Sequence, residues 1–246
     1  GGTASIWVRQ GTYTENLTLY SGIDIEGQES SLSIIIGTHT PPAAGSFRFT
    51  RLGLQSATHI FSSVVAGSAI LGCIRCQFNL TNGYVFNVAN WTGDLHIHWC
   101  IDDVSTINGI INNAGGSTVL INHSILGAGT ANVLTTNGAL TIYSVKLGCP
   151  CLFNGTGTTL LNGACDFAGN IATANTNTVT IAQCRISTGA AQAITHNSAS
   201  LLVLDEVIVK SANATTIGGT GPLKIMMAQF PDTNVIAGTI TLTNIG

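Results

Sequence analysis

The chain has 246 residues, of which 45% are hydrophobic and only 8% charged, against about 25% charged in an average soluble domain. Eight Lys and Arg against eleven Asp and Glu leave a formal net charge of −3, which argues against a basic surface for phosphate backbones and so against nucleic acid as a partner. A mean hydropathy of +0.39 would suit a membrane protein, yet Gly, Asn, Ser or Thr interrupts every apolar run before the roughly 18 residues that a spanning helix needs, so no membrane insertion is expected.

In chain order, the opening segment runs Ile6-Trp7-Val8-Arg9-Gln10-Gly11-Thr12-Tyr13-Thr14-Glu15-Asn16-Leu17-Thr18-Leu19, then Ser21-Gly22-Ile23-Asp24-Ile25-Glu26-Gly27. Residues 1–57 are expected to form irregular opening coils and a loop, and residues 58–246 regular coils of the same single domain. Throughout the regular coils a single template recurs: an apolar residue, then others two, five and seven positions later. It is met in Leu71/Cys73/Cys76/Phe78, Leu95/Ile97/Cys100/Asp102, Val119/Ile121/Ser124/Leu126 and Leu140/Ile142/Val145/Leu147. It continues in Leu160/Asn162/Cys165/Phe167, Val179/Ile181/Cys184/Ile186, Leu202/Leu204/Val207/Val209, Leu223/Ile225/Ala228/Phe230 and the shortened Ile240/Leu242/Ile245. A spacing of two keeps side chains on one face of a strand, and the step from two to five demands a corner that restarts the alternation. A third apolar packet precedes many units, at Ile111, Leu134, Phe153, Ile194, Ile217 and Ile236. Three short strands and three turns make one coil of a solenoid.

A leucine-rich repeat has a similar period, but it needs a helix or 3₁₀ segment on its back. The backs of these units read Thr135-Thr136-Asn137-Gly138, Asn154-Gly155-Thr156-Gly157 and Gly218-Gly219-Thr220-Gly221, which are poor helix formers and good corners. A parallel β-helix is therefore expected. The opening strand, its Gly-Thr-Tyr-x-Glu-like turn at Gly11–Glu15 and the isoleucine-bearing strand ending at Gly27 resemble the first coils of the pectin-lyase-like right-handed β-helix superfamily. The resemblance covers about 25 residues plus the looser repeat. It implies an all-β, single-stranded right-handed parallel β-helix of about 11 coils of roughly 21 residues. It implies fold more than function, because the superfamily includes lyases, hydrolases, esterases, adhesins and viral fibre proteins. The absent initiator Met and the shortened last unit lead us to expect a piece of a longer chain.

Of seven cysteines, Cys76, Cys100, Cys165 and Cys184 share the third template position, and Cys73 the second. Cys73-Ile74-Arg75-Cys76 and Cys149-Pro150-Cys151 have metal-like spacing, but the register favours cysteine as a small buried apolar residue. No metal and no cofactor are expected, and Cys149 and Cys151, outside the template, are the candidate reactive pair. Six glycosylation sequons begin at Asn16, Asn79, Asn90, Asn122, Asn154 and Asn213, as chance allows in so Asn- and Thr-rich a chain.

Polar chemistry gathers in one coil: Asp94, His96, His98, Asp102 and Asp103. His96 and His98 alternate with Leu95 and Ile97 and should face outward, with His123 near the level of Trp99 one coil on. Two function classes compete. A polysaccharide-degrading β-helix hydrolase or lyase would use Asp102 and Asp103, with His98, as its acid–base groups. A structural or receptor-binding segment of a surface fibre or adhesin, of the phage tail-fibre or tailspike type, needs only a stiff rod with a contact face. The uncharged Thr/Asn/Gly surface favours the second. Its ligand would be a host glycan held by Trp91, Trp99 and Tyr143 beside Asp94 and His96. Location on a virion or cell surface, and self-association as a homotrimer, are what the resemblance to such fibres implies.

Overall fold

The computed structural model describes residues 4–102, 109–126, 132–148, 151–188, 193–211, 215–230 and 235–236. These residues form a parallel β-solenoid with three sheets. The first sheet has eleven strands, from Ala4–Val8 to Leu223–Ile225; the second also has eleven, from Gly11–Thr14 to Ala228–Gln229. The third has nine, from Phe61–Ser63 to Val235–Ile236. On the third side the two opening coils contribute only the isolated bridges Thr18↔Thr40 and His39↔Phe61. About nine turns are thus closed on all three sides, rather than the expected eleven. No helix among the described residues is long and apolar enough to cross a membrane.

The template residues stack as interior columns. Leu71, Leu95, Val119 and Leu140 lie in register on successive strands, and so do Cys73, Ile97, Ile121 and Ile142. All eight are buried. The same offsets reach back to Phe47/Phe49/Leu52/Leu54, where Phe47 pairs with Leu71 and Leu54 with Phe78. Near this end of the rod the interior is aromatic: Phe47 meets Phe49 edge-on at 4.9 Å, and Phe61 stacks on Phe86 at 5.0 Å. Offset and edge-to-face pairs of this kind add to simple burial.

One unit is corrected. Leu140 and Ile142 pair with Thr159 and Leu161, so those two residues face inward, and Leu160 and Asn162 do not. The chain takes four steps from Leu161 to inward Cys165 where other coils take three. The additional residue is absorbed by Gly163 and Ala164, both at positive φ (70° and 62°). A side chain at Gly163 would also collide with the Tyr143 ring, its Cβ lying 2.1 Å from that ring. A one-residue slip exchanges the two faces of a strand, which is why the sequence pattern shows a polar exception at this unit.

Between the first and second sheets seven coils turn on a single left-handed residue. Arg51, Arg75, Trp99, His123, Ser144, Gln183 and Glu206 all have φ between 46° and 53°. This conformation costs a non-glycine residue about 1–2 kcal/mol, but it brings the next template residue back inside. It also aligns the corner amide with the coil above: Arg75 N–H donates to the His98 carbonyl at 2.9 Å, and Trp99 N–H to that of Asn122 at 3.1 Å. The side chains at this corner therefore form an outward column along the rod.

This register predicts that Ile142→Ala lowers unfolding free energy by about 2–5 kcal/mol, by lost burial and an unfilled cavity. Thr141→Ala, one residue away and facing outward, should change it by less than about 0.5 kcal/mol. Urea unfolding of the two variants checks this; equal midpoints would refute the register.

Candidate functional site

The outer face of the first sheet and its left-handed corner carry a continuous run of charged and aromatic side chains. One outward column contains Arg48, Gly72 and His96 in register, and the next contains Thr50, Ile74, His98, Asn122 and Tyr143. The corner column beside it contains Arg51, Arg75, Trp99 and His123.

At the first coils this face is closed by ion pairs. Arg48 Nη2 donates to Asp24 Oδ2 at 2.6 Å and Arg48 Nε donates to the same oxygen at 3.1 Å. The Asp24 carboxylate raises the Arg48 pKa above its ordinary value. Arg51 pairs with Glu26 and lies over the Trp7 ring, 5.6 Å from its centroid. Arg75 has no carboxylate partner among the described residues, and its guanidinium covers the Trp99 ring at 5.8 Å.

From Arg75 onward the column is aromatic. Trp99, 50% exposed, stacks on His123 with centroids 5.5 Å apart and planes 24° apart. His123 meets Tyr143, 44% exposed, edge-on at 5.6 Å. His98 flanks Trp99 edge-on at 6.1 Å, and His96 lies 5.4 Å from His98. Burial lowers the pKa of His96 against the opposing charge of Asp94. Burial lowers that of His98 as well, helped by His96 and His123. Both rings are thus neutral at pH 7. Under the stack, His98 Nε2 and Asn122 Oδ1, one coil apart in register, are buried without hydrogen-bond partners.

Trp99, Tyr143, His96 and His98 are therefore brought together on one face, and Asp94 lies half-buried at the entry to the same strand. Two expectations are corrected. Trp91 is not an exposed stacking residue: it is 1% exposed, and its indole N–H donates to the Ala69 carbonyl at 2.8 Å. It lies in a turn outside the strands, where outward alternation does not apply. Asp102 does not face a groove either; it is 5% exposed and pairs in register with interior Phe78. That position follows from the corner at Trp99, which turns Cys100 and Asp102 inward together. Asp103 lies outside the described residues, as does Cys149.

Among the described residues no three His, Cys, Asp or Glu side chains converge as metal ligands. Cys73, Cys76, Cys100, Cys165 and Cys184 are free and buried, and Cys151 is buried, facing inward from the third sheet.

No family model, curated protein or solved structure matches this chain. The site is accordingly defined by its own geometry. Arg75 is the member that residue-by-residue reading passed over, and His123 was read only as lying near the level of Trp99. A signal for them was present: the residue four places after each template start is Arg75, Trp99, His123 and Ser144 in successive units, and that position is the outward corner.

Proposed function

We propose that this solenoid is a receptor-binding segment of an elongated surface fibre or adhesin, of the viral or phage-fibre kind within the pectin-lyase-like superfamily, and that it holds a host glycan along the first corner. The observation that carries this reading is the exposed, continuous stack of Arg75, Trp99, His123 and Tyr143. Four consecutive coils present it as a strip parallel to the rod axis. Rings spaced by the roughly 4.8 Å coil repeat suit a chain of sugar rings laid along the strip against the exposed ring edges, since Arg75 and His123 cover the indole faces. Half-buried His96 supplies a donor and an acceptor beside it.

Eleven stacked strands give a rod about 50 Å long, enough to stand a contact face off a virion or cell surface. Self-association as a trimer belongs to the same proposal. It is supported by the low charge and by Ile101 and Ile125, exposed and in register on the second sheet, just across the corner from the glycan strip. Sedimentation giving a monomer at every accessible concentration would count against the trimer.

Glycan-array screening followed by titration tests the binding. Trp99→Ala should weaken the selected glycan by about tenfold or more, as truncation of a central aromatic anchor does. Its effect on stability should be small, because half of the side chain is already in water. Full-strength binding by this variant would overturn the strip as the site.

A further inference from the structure

Cys165 and Cys184 occupy the same corner position of adjacent coils. Asp166 and Arg185 pair in register directly after them, and Arg185 N–H donates to the Cys165 carbonyl at 2.8 Å. Strands in register bring the two Cα atoms to about 4.8 Å, within the 4.4–6.8 Å that a disulfide spans. Both side chains are buried from solvent, yet a surface cavity of about 420 Å³ reaches them, lined also by Asp166, Gln183, Arg185 and Glu206.

The two thiols are not equivalent. Cys165 Sγ lies 3.1 Å from the Asn162 carbonyl and Cys184 Sγ 2.9 Å from that of Ala182. The Cys184 thiol, hydrogen-bonding to Cys165, brings the latter down to about 7 against the opposing effect of burial. The same contact and burial push Cys184 well up. Cys165 is thus the nucleophile and Cys184 its resolving partner.

We propose that Cys165 and Cys184 are a thiol modification site that a low-molecular-weight disulfide such as oxidised glutathione enters through this cavity, converting the pair into a cross-coil disulfide. The Cys165 thiolate attacks one sulfur of the small disulfide, breaking its S–S bond and releasing one thiolate, which takes up a proton. Cys184 then loses its proton and attacks the Cys165 sulfur of the mixed disulfide, and the second small thiolate leaves and is protonated. The protein gives up two protons and two electrons, and one small disulfide becomes two thiols. Arg185, at the cavity wall, can hold a carboxylate of the incoming peptide disulfide during the first step. The product ties neighbouring coils covalently at the same corner that bears the aromatic strip, starting in the coil next to Tyr143.

The experiment uses the intact, reduced protein incubated with oxidised glutathione, quenched by alkylation and mapped by peptide mass spectrometry. The expected result is a linked peptide pair joining Cys165 to Cys184, lighter by two hydrogens than the separate peptides. In Cys184→Ser the expected product is glutathione retained on Cys165. Recovery of both Cys165 and Cys184 in alkylated form, from wild-type protein whose circular dichroism shows it folded, would overturn the proposal. The wild-type map decides the matter even if the variant fails to fold.

Discussion

Trp91→Ala should lower the unfolding free energy by about 3–5 kcal/mol, with no direct effect on a ligand at the aromatic strip. The indole is buried against Gly67, where an added Cβ would lie 2.3 Å from the ring. Its N–H satisfies the Ala69 carbonyl, which would be left unpaired at a further cost of about 1–3 kcal/mol unless water enters. Around its backbone lies an interior polar network: Trp91 N–H donates to Asn113 Oδ1 at 2.8 Å, and Ser117 Oγ and Asn113 Nδ2 donate to the Trp91 carbonyl at 2.8 and 3.1 Å. Trp91→Phe keeps most of the volume and loses the indole bond, so it should fall between wild type and alanine. Urea unfolding of both variants, beside a glycan titration of Trp91→Phe, separates the roles. Unchanged stability with lost binding would return Trp91 to the ligand site.

Acid should destabilise the rod, and His39 should account for a large share. The ring is fully buried, accepts the Leu17 N–H at Nδ1 (3.3 Å), leaves Nε2 unpartnered and lies edge-on to Phe49 at 5.2 Å. Burial lowers its pKa from 6.5 to about 4. Because the unfolded chain binds this proton more readily than the folded one, the stability tied to neutral His39 is complete above about pH 6.5. It is lost progressively as the pH falls towards 4. A shift of this size corresponds to about 3 kcal/mol at about 1.4 kcal/mol per unit. Burial also lowers His59, His96, His98 and His196, so they act in the same direction. Urea midpoints measured from pH 7.5 to pH 4 should fall in wild type and fall less in His39→Gln, whose amide oxygen can accept the Leu17 N–H. Parallel curves for the two proteins would refute the assignment.

The parallel solenoid was legible because burial repeats with the coil. Residues two, five and seven places after each start are mostly apolar where the backbone returns them to the interior, with Asp102 and Ser124 as buried polar exceptions. The pattern blurred at two places. In the opening coils a long stretch separates inward Ile25 from Phe47, which hid the matching Phe47/Phe49/Leu52/Leu54 unit. At residues 159–165 the Gly163-Ala164 corner absorbs one extra residue, and counting from Leu160 placed Asn162 inside. Of the candidate site, Trp99 and Tyr143 were legible as outward residues next to the template. Arg75 and His123 gain meaning only when the corner position is read down successive coils.

The sequence by itself determined the alternation, the corners and the dry interior columns, because each depends on contacts repeated within every coil. Only the tertiary structure decided which turn residues leave solvent. Trp91 goes inside because the neighbouring coil supplies the Ala69 carbonyl and the space over Gly67. Stacking likewise joins Arg75, Trp99 and His123, distant along the chain, into one strip that Tyr143 extends from the adjacent column, since the fixed rise between coils brings equal positions into contact.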